Sequence, residues 1–280
     1  KYGIKGTFST VGFLFFENKK TLLEHAPQNI PTYQYGKLSP YHGYMDKVGQ
    51  NTAEDPYHFA QQLVKQILEQ PHHEMGTHTF SHYFCLEEGQ TIDQFREDLR
   101  AAQKAASLYN ITLTSLIFPR NQFNAAYLEV CKEEGLLCYR GNPGSWLYKE
   151  RIKQAESRWR RALRLADAYI NISGHHCHAD EAMNGQLPIN IPGSRFLRPY
   201  SHKLKMLDWL RLRRIKKAMD HAAKTNSLFH LWWHPHNFGV NQDENFKKKK
   251  KVLQHYQYLH EKYGFQSYTM TGLAQKLLNG

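Results

Sequence analysis

The chain has 280 residues and carries 37 Lys and Arg against 25 Asp and Glu, a formal net charge of +12. Hydrophobic residues make up 41% of it and charged residues 22%, a balance that excludes wholesale disorder. Its apolar runs are far too short to span a bilayer, which needs roughly 20 residues. The excess of positive charge predicts attraction to anionic partners, without choosing among acidic glycans, lipid headgroups and nucleic acid.

The number and spacing of the cysteines indicate the redox state of the cellular compartment. The four cysteines are too few and too scattered for a disulfide scaffold, which favours a reducing environment. No signal peptide is visible in the sequence. These observations favour the cytoplasm but leave the localisation open.

Short β-rich runs alternate with helical stretches along the chain, a pattern typical of an α/β protein. Strands are predicted at 4–9, 74–78, 113–118, 136–140, 226–233 and 265–270. Helices are predicted to begin at Asp55-Pro56, at the capping box Thr91-x-x-Gln94 and at Asn124, and to cover 156–170, 203–224 and 244–263. We therefore expect a single barrel-like domain over 1–280, with 173–199 as a long functional loop.

The densest group of potential metal ligands ends at His82. His78 and His82 are four residues apart, so a helical turn there would bring both imidazoles to one face, within reach of one cation. Gly76 permits a tight exit from the preceding strand. A lone pair of histidines at this spacing is more often solvated, but a position just after a strand, where barrel enzymes build their sites, favours a metal site.

A second signal is the apolar strand that ends at His234, immediately before Pro235. Alternation along the strand predicts Leu231 and Trp233 on one face, and His230, Trp232 and His234 on the other. A histidine at such a strand end suits a general acid, because its pKa lies near neutrality. A core histidine bonded to the backbone is the equally good alternative.

Arg120 is a third candidate, in the context Phe118-Pro-Arg120 at another strand end. A guanidinium there can pair with a carboxylate or hold an anionic substrate. Taken alone this arginine indicates little, because exposed arginines after strands are common.

In their order and spacing, these three strand ends resemble the polysaccharide deacetylase family, the NodB-like carbohydrate esterases. The metal motif of that family, His-[Ser/Thr]-x-x-x-His or a close spacing variant, is similar to His78-Thr-Phe-Ser-His82. Its Leu-x-x-His motif resembles Leu231-Trp-Trp-His234. Its arginine motif resembles Phe118-Pro-Arg120, although the family usually places the proline after the arginine.

The resemblance implies a fold and a cofactor. The fold is a distorted (β/α) barrel, typically with seven strands, and the cofactor is a divalent metal, most often zinc. The family's Thr-Phe-Asp-Asp motif supplies the catalytic base and a third metal ligand, but this sequence has no Asp before Asp46 and no Asp-Asp pair. We expect the first strand, with that motif, to lie upstream of Lys1, because a barrel lacking a strand exposes unpaired edges.

The resemblance also implies a role for each site residue. His78 and His82 would hold the metal, which polarises the acetyl carbonyl and lowers the pKa of a bound water. His234 would protonate the leaving sugar atom, and Arg120 would orient the base or stabilise its charged form. Trp146 would wall the acetyl pocket and Leu231 would contact the substrate, although the acidic residues usual around that tryptophan are absent. Glu74 is an open alternative to the missing base, as are the nearby His72 and His73.

The leading hypothesis is a metal-dependent deacetylase of N-acetylated sugars in a surface polysaccharide or its precursor. Its partner is an acetylated carbohydrate. Two alternatives stay open, a catalytically inactive glycan-binding relic that lacks the base, and a metal-dependent hydrolase of another C–N bond. No nucleic-acid partner is expected, because no nucleic-acid motif has a matching spacing. The basic helix at 203–224 can make peripheral contact with a membrane or an acidic glycan, although a solvated outer helix explains it equally well.

Overall fold

The computed structural model describes residues 2–148, 157–180, 183 and 186–279 and has a mixed α/β fold, as the sequence predicts. Its strands are β1 (Gly6–Thr10), β2 (His73–Thr77), β3 (Ser115–Leu116), β4 (Cys138–Tyr139), β5 (Ile189–Asn190), β6 (Arg195–Phe196) and β7 (Leu231–Trp232). Its α-helices are α1 (Lys19–Glu24), α2 (Gln61–Leu68), α3 (Ile92–Ser107), α4 (Ala125–Glu133), α5 (Arg158–Asp167), α6 (Asp208–Lys224), α7 (Pro235–Gly239), α8 (Gln242–Tyr263) and α9 (Met270–Asn279).

Contacts within the chain divide it into two compact units. The sheet unit consists of the described residues of 5–140, 185–190 and 268–280. The helical unit consists of the described residues of 1–4, 141–184 and 191–267. Strands β1 to β5 belong to the sheet unit, whereas β6, β7 and helices α5 to α8 belong to the helical unit.

The sheet unit is built on a parallel sheet in the order β1-β2-β3-β4-β5. Gly76 in β2 allows the close approach of its neighbours, because a Cβ there would lie 2.5 Å from the hydroxyl of Ser115 and 3.1 Å from a methyl of Thr7. This glycine is therefore needed for strand packing rather than for the strand exit that the sequence suggested. Since all five strands are parallel, the loops that follow them leave from one edge of the sheet.

Helix α3 separates two apolar clusters of the sheet unit. It begins at the predicted capping box, in which the Thr91 side chain accepts a hydrogen bond from the backbone N–H of Gln94 and the Gln94 side chain accepts one from the N–H of Thr91. Its alanines join the cluster that contains Phe80, and Phe95 and Leu99 join the other. Burying a large apolar side chain contributes about 1.5–3 kcal/mol, so packing on both sides holds this helix in place.

In the helical unit, β6 pairs in parallel with β7, and α6 packs against α8. The predicted helix at 203–224 forms as a 3-10 segment over His202–Leu207 followed by α6. Two of its basic residues, Arg211 and Arg214, are buried, so part of its positive charge lies in the interior rather than on the surface. Contact of the remaining basic residues with a membrane or acidic glycan stays a prediction. Among the described residues, no helix is long and apolar enough to cross a membrane.

Two predicted elements are wrong. Asp55 does not begin a helix, because its carboxylate accepts hydrogen bonds from His58 and from the backbone N–H of Gly49 and so forms a turn; α2 starts six residues later. The strand predicted at 265–270 does not form either. Phe265 instead packs into the apolar cluster of the helical unit, and Met270 begins α9.

Candidate active site

The loops that follow β2 and β3 hold strained backbone at non-glycine residues. Thr79 and His82 have φ of 64° and 60°, and Arg120 and Asn121 both have φ of 54°. Such conformations cost on the order of 1–3 kcal/mol per residue and persist at functional sites where the surroundings enforce them. The helical turn predicted between His78 and His82 therefore does not form.

The two histidine rings nevertheless come together. The ring centroids of His78 and His82 are 4.8 Å apart with an interplanar angle of 68°. The Nδ1 atom of His78 lies 2.6 Å from the carbonyl oxygen of Ile117, which can only accept. That contact fixes the neutral ring in the tautomer with its lone pair on Nε2, the arrangement usual for a metal-binding histidine.

Asp98 on α3, fully buried, shapes the loop that carries these histidines. Its carboxylate accepts a hydrogen bond from the N–H of Phe80 at 2.7 Å, and further ones from the N–H and the hydroxyl of Ser81. Burial raises the pKa of Asp98 to about 6, and the hydrogen bonds from Ser81 and Phe80 limit that rise. Sequence reasoning missed this residue. The available signal was an acidic side chain within the apolar stripe of Phe95 and Leu99.

Arg120 is held by two neighbours. Its Nη1 donates a hydrogen bond to Oε1 of Glu87 at 2.8 Å, and its guanidinium lies 3.8 Å from the centroid of the Phe84 ring. The amide of Gln122 donates to the same oxygen of Glu87 at 3.0 Å. Glu87 was not predicted from the sequence, where nothing marks it as the partner of this arginine.

A second arginine supports the loop after β3. Arg140 follows β4, is buried, and donates from Nη2 to Oδ1 of Asn121 at 2.7 Å. Burial lowers its pKa to about 9. This arginine was also missed, because its sequence position after a short strand resembles that of any exposed arginine.

The loops border a cavity of about 410 Å³. Four basic side chains line it, those of Lys37, His58, His82 and Arg120. The aromatic rings of Tyr44 and Phe84 also line it, and no carboxylate of the described residues does. Its volume lies within the range of about 300–1,000 Å³ that is typical of small-molecule sites.

The described residues do not complete a metal site around the histidine pair. A catalytic zinc has three protein ligands and one open position. In the part of the chain that the structure describes, no group of three or more His, Cys, Asp or Glu side chains is arranged to hold a metal ion. The metal ligands that the described residues offer at this place are therefore the two imidazoles of His78 and His82.

Glu74 does not replace the missing base. Its carboxylate accepts hydrogen bonds from the hydroxyls of Thr7 and Ser115 and from the N–H of Thr271. Glu74 lies four residues before His78, which is about 13 Å along a strand at about 3.3 Å per residue. It joins β1, β3 and α9, and the alternative raised from the sequence is wrong.

His234 and Leu231 lie in the helical unit. His234 is exposed at the start of α7, with its ring centroid 5.6 Å from Phe196 and 5.5 Å from Trp232. Leu231 and Trp233 pack against the apolar cluster of the same unit, so the predicted alternation is confirmed. The roles of His234 as general acid and of Leu231 as substrate contact stay predictions.

Trp146 also lies in the helical unit, where 64% of its surface is exposed. Its carbonyl oxygen accepts a hydrogen bond from Nη2 of Arg160 at 2.6 Å, which ties the short segment Trp146–Tyr148 to α5. An exposed indole is free to contact a ligand, but its role at an acetyl pocket stays a prediction.

A buried charge network in the helical unit was not anticipated. Asp167 accepts from Nη1 of Arg195 at 2.6 Å and from the hydroxyl of Tyr148 at 2.7 Å. Arg195 and Arg214 both donate to the carbonyl of Gly174, which fixes the loop that follows α5. Burial alone would raise the pKa of Asp167, but hydrogen bonds from the backbone N–H of Ser173, the Tyr148 hydroxyl and Arg195, together with the Arg195 charge, hold it below its usual value.

Residues 1–139 match the model of the polysaccharide deacetylase family. That stretch contains the loops after β2 and β3, with both histidines and Arg120. Over these residues, this chain is similar to the polysaccharide deacetylase family, whose activity is the hydrolysis of acetyl groups on carbohydrates. His234, Leu231 and Trp146 lie beyond the matched residues. The comparison with curated proteins gives no match.

Proposed function

We propose that this protein is a metal-dependent deacetylase that removes acetyl groups from N-acetylated sugars of a surface polysaccharide or its precursor. The observation that carries the proposal is the His78–His82 pair, with ring centroids 4.8 Å apart, within the family-matched residues. Nδ1 of His78 is bound to a carbonyl, so Nε2 carries the lone pair that a cation requires. The adjoining cavity has the volume of a small-molecule site.

The cation, with zinc as the first candidate, would be held by His78 and His82 together with donors outside the pair. When bound, it supplies a Lewis acid for the acetyl carbonyl and lowers the pKa of a bound water. Arg120, fixed by Glu87, adds positive charge beside His82 on the cavity wall. That charge favours the anionic form of any carboxylate base and the oxyanion of the reacting acetyl group.

The remaining assignments belong to the same proposal. His234 is the general acid that returns a proton to the leaving sugar atom, and Trp146 and Leu231 contact the substrate. The accompanying fold is a single distorted (β/α) barrel domain over 1–280, to which the parallel strands β1 to β5 contribute. The sequence pattern of strand ends supports these assignments.

The proposal is tested by acetate release from N-acetylglucosamine oligomers in the presence of Zn²⁺ or Co²⁺. We expect release that a chelator abolishes, and loss of at least 100-fold in rate in His78→Ala, on the order of the effect of removing a catalytic metal ligand or its support. His72→Ala is the matched control, because His72 is exposed and lies before β2, at the opposite end of that strand from His78.

Binding of Co²⁺ is measured on the same variants. His78→Ala is expected to lose the bound metal, whereas His72→Ala keeps it. Acetate release that persists in chelator, or in His78→Ala, contradicts the proposal. Oligosaccharide binding without acetate release at any metal concentration supports instead a glycan-binding protein without catalysis.

A further inference from the structure

Three polar side chains on the segment between α1 and α2 form a continuous hydrogen-bonded chain. Oδ2 of Asp55 lies 2.8 Å from Nδ1 of His58, and Nε2 of His58 lies 2.6 Å from the hydroxyl oxygen of Tyr44. The Tyr44 and His58 rings also contact edge to face, with centroids 5.5 Å apart. Neither the family motifs nor the proposed chemistry uses any of these residues.

The direction of each hydrogen bond follows from the groups involved. The Asp55 carboxylate only accepts, so Nδ1 of His58 carries a hydrogen and donates it. In the neutral ring Nε2 then holds the lone pair and accepts from the Tyr44 hydroxyl. The Tyr44 oxygen is left with its lone pairs directed away from His58, as a hydrogen-bond acceptor of fixed orientation.

The hydrogen-bonded series Asp55–His58–Tyr44 is anchored at both ends. Asp55 also accepts from the N–H of Gly49, and a Cβ at Gly49 would lie 2.8 Å from Cβ of Asp55, so only glycine permits this approach. Met45 and Phe59, the neighbours of Tyr44 and His58 in sequence, are buried in the core of the sheet unit. Tyr44 is therefore pre-organised although 48% of its surface is exposed.

Tyr44 and His58 line the same cavity as His82 and Arg120. The cavity thus has a metal-binding histidine of the proposed function on one part of its wall and an oriented aromatic hydroxyl on another. A flat, half-exposed ring with a polar tip suits a sugar, whose ring presents an apolar C–H face and whose edge carries hydroxyl and amide donors.

We infer that Tyr44, held by His58 and Asp55, is a sugar-binding residue: its ring packs on an N-acetylated hexosamine, and its hydroxyl oxygen accepts a hydrogen bond from a hydroxyl or amide N–H of that sugar. The inference rests on the proposed function for the identity of the ligand. It assigns to this segment the positioning of the sugar, a task separate from the chemistry at His78 and His82.

The test measures binding of the N-acetylglucosamine tetramer to the whole chain by calorimetry, with chelator present so that turnover is suppressed. Tyr44→Phe removes only the hydroxyl and is expected to raise Kd about 3- to 10-fold, the range of one hydrogen bond. Tyr57→Phe is the matched control, because Tyr57 lies on the same segment but is 88% exposed, and its Kd is expected to be unchanged.

His58→Phe keeps a ring at position 58 and frees the Tyr44 hydroxyl to rotate, so we expect a smaller rise in Kd. Melting temperatures are measured alongside. If Tyr44→Phe lowers the melting temperature but leaves Kd unchanged, the hydrogen bonds among Asp55, His58 and Tyr44 are purely structural and the inference is overturned. A wild-type protein that does not bind the tetramer also overturns it. Binding that weakens in Tyr44→Phe, in a protein that releases no acetate with any metal, supports the inference while the proposed deacetylase activity fails.

Discussion

Two loops of this molecule are organised by a buried carboxylate, and the two carboxylates differ in their partners. Asp98 holds the loop after β2 through backbone N–H groups and a serine hydroxyl, and burial raises its pKa to about 6. Asp167 holds the loop after α5 with Arg195 as its partner, and its pKa is lowered. Neutral donors alone therefore do not offset the cost of burying a charge in the first loop, whereas in the second loop neutral donors together with a guanidinium do.

The largest effect is expected when Asp167 is removed. Asp167→Ala leaves Arg195 buried without its carboxylate, which costs about 3–5 kcal/mol in the free energy of unfolding. Chemical denaturation measures this loss. Asp220→Ala is the control, because Asp220 forms a half-exposed pair with His255 in the same unit and its loss costs at most about 1 kcal/mol. Equal losses in both variants contradict the importance of the buried network.

Removal of Asp98 is expected to have a smaller effect on stability and a larger one on the site. Asp98→Ala leaves the N–H groups of Phe80 and Ser81 buried without an acceptor, which lowers the free energy of unfolding by about 2–3 kcal/mol in total. It also releases the loop that carries His82, so metal binding weakens. Asp93→Ala, on the exposed face of the same helix, is the control, and its loss in the free energy of unfolding is expected to be less than about 1 kcal/mol. Undiminished metal binding in a folded Asp98→Ala variant contradicts this role for Asp98.

The third expected effect is a dependence of stability on pH. Because the pKa of Asp98 is raised from 3.8 to about 6, the folded protein holds this proton more tightly than the unfolded chain does. Its contribution to the free energy of unfolding is thus complete below pH 3.8 and is lost as the pH rises through 6. Asp98→Asn should remove this decline, which denaturation at a series of pH values measures. For Asp167 the sign is opposite, since a lowered pKa gives stability that is lost on acidification. If the free energy of unfolding of Asp98→Asn declines with pH as steeply as that of the unmutated protein, groups other than Asp98 cause the decline.

Local signals predicted much of the fold. The capping box at Thr91 and the cap at Asn124 lie within three residues of the groups they bind, so the sequence alone identified the starts of α3 and α4. Asp55 also looked like a helix cap. Its actual partners include Gly49, which precedes it, and a pattern that looks only forward from the aspartate misses that turn.

At the candidate site, the closeness of His78 and His82 was predictable from the sequence, but the geometry that brings them together was not. The spacing of His78 and His82 indicated the pair, yet the backbone between them is left-handed rather than helical. That conformation depends on Asp98, which is distant in sequence from Phe80 and Ser81 and reaches them only through the packing of α3. Arg120 was found from its motif, whereas Glu87 needed the fold to bring two loops together.

The contacts of Glu74 have a consequence for the order in which the protein takes shape during synthesis. Its carboxylate binds the N–H and hydroxyl of Thr271, and the hydroxyl of Thr7 accepts from the N–H of Met270. Strands β1 and β2 thus receive some of their hydrogen bonds from residues that lie 263 and 197 positions later in the chain. These contacts with α9 form only after that helix has been translated, whereas the bonds of Glu74 to Thr7 and Ser115 within the sheet do not depend on it.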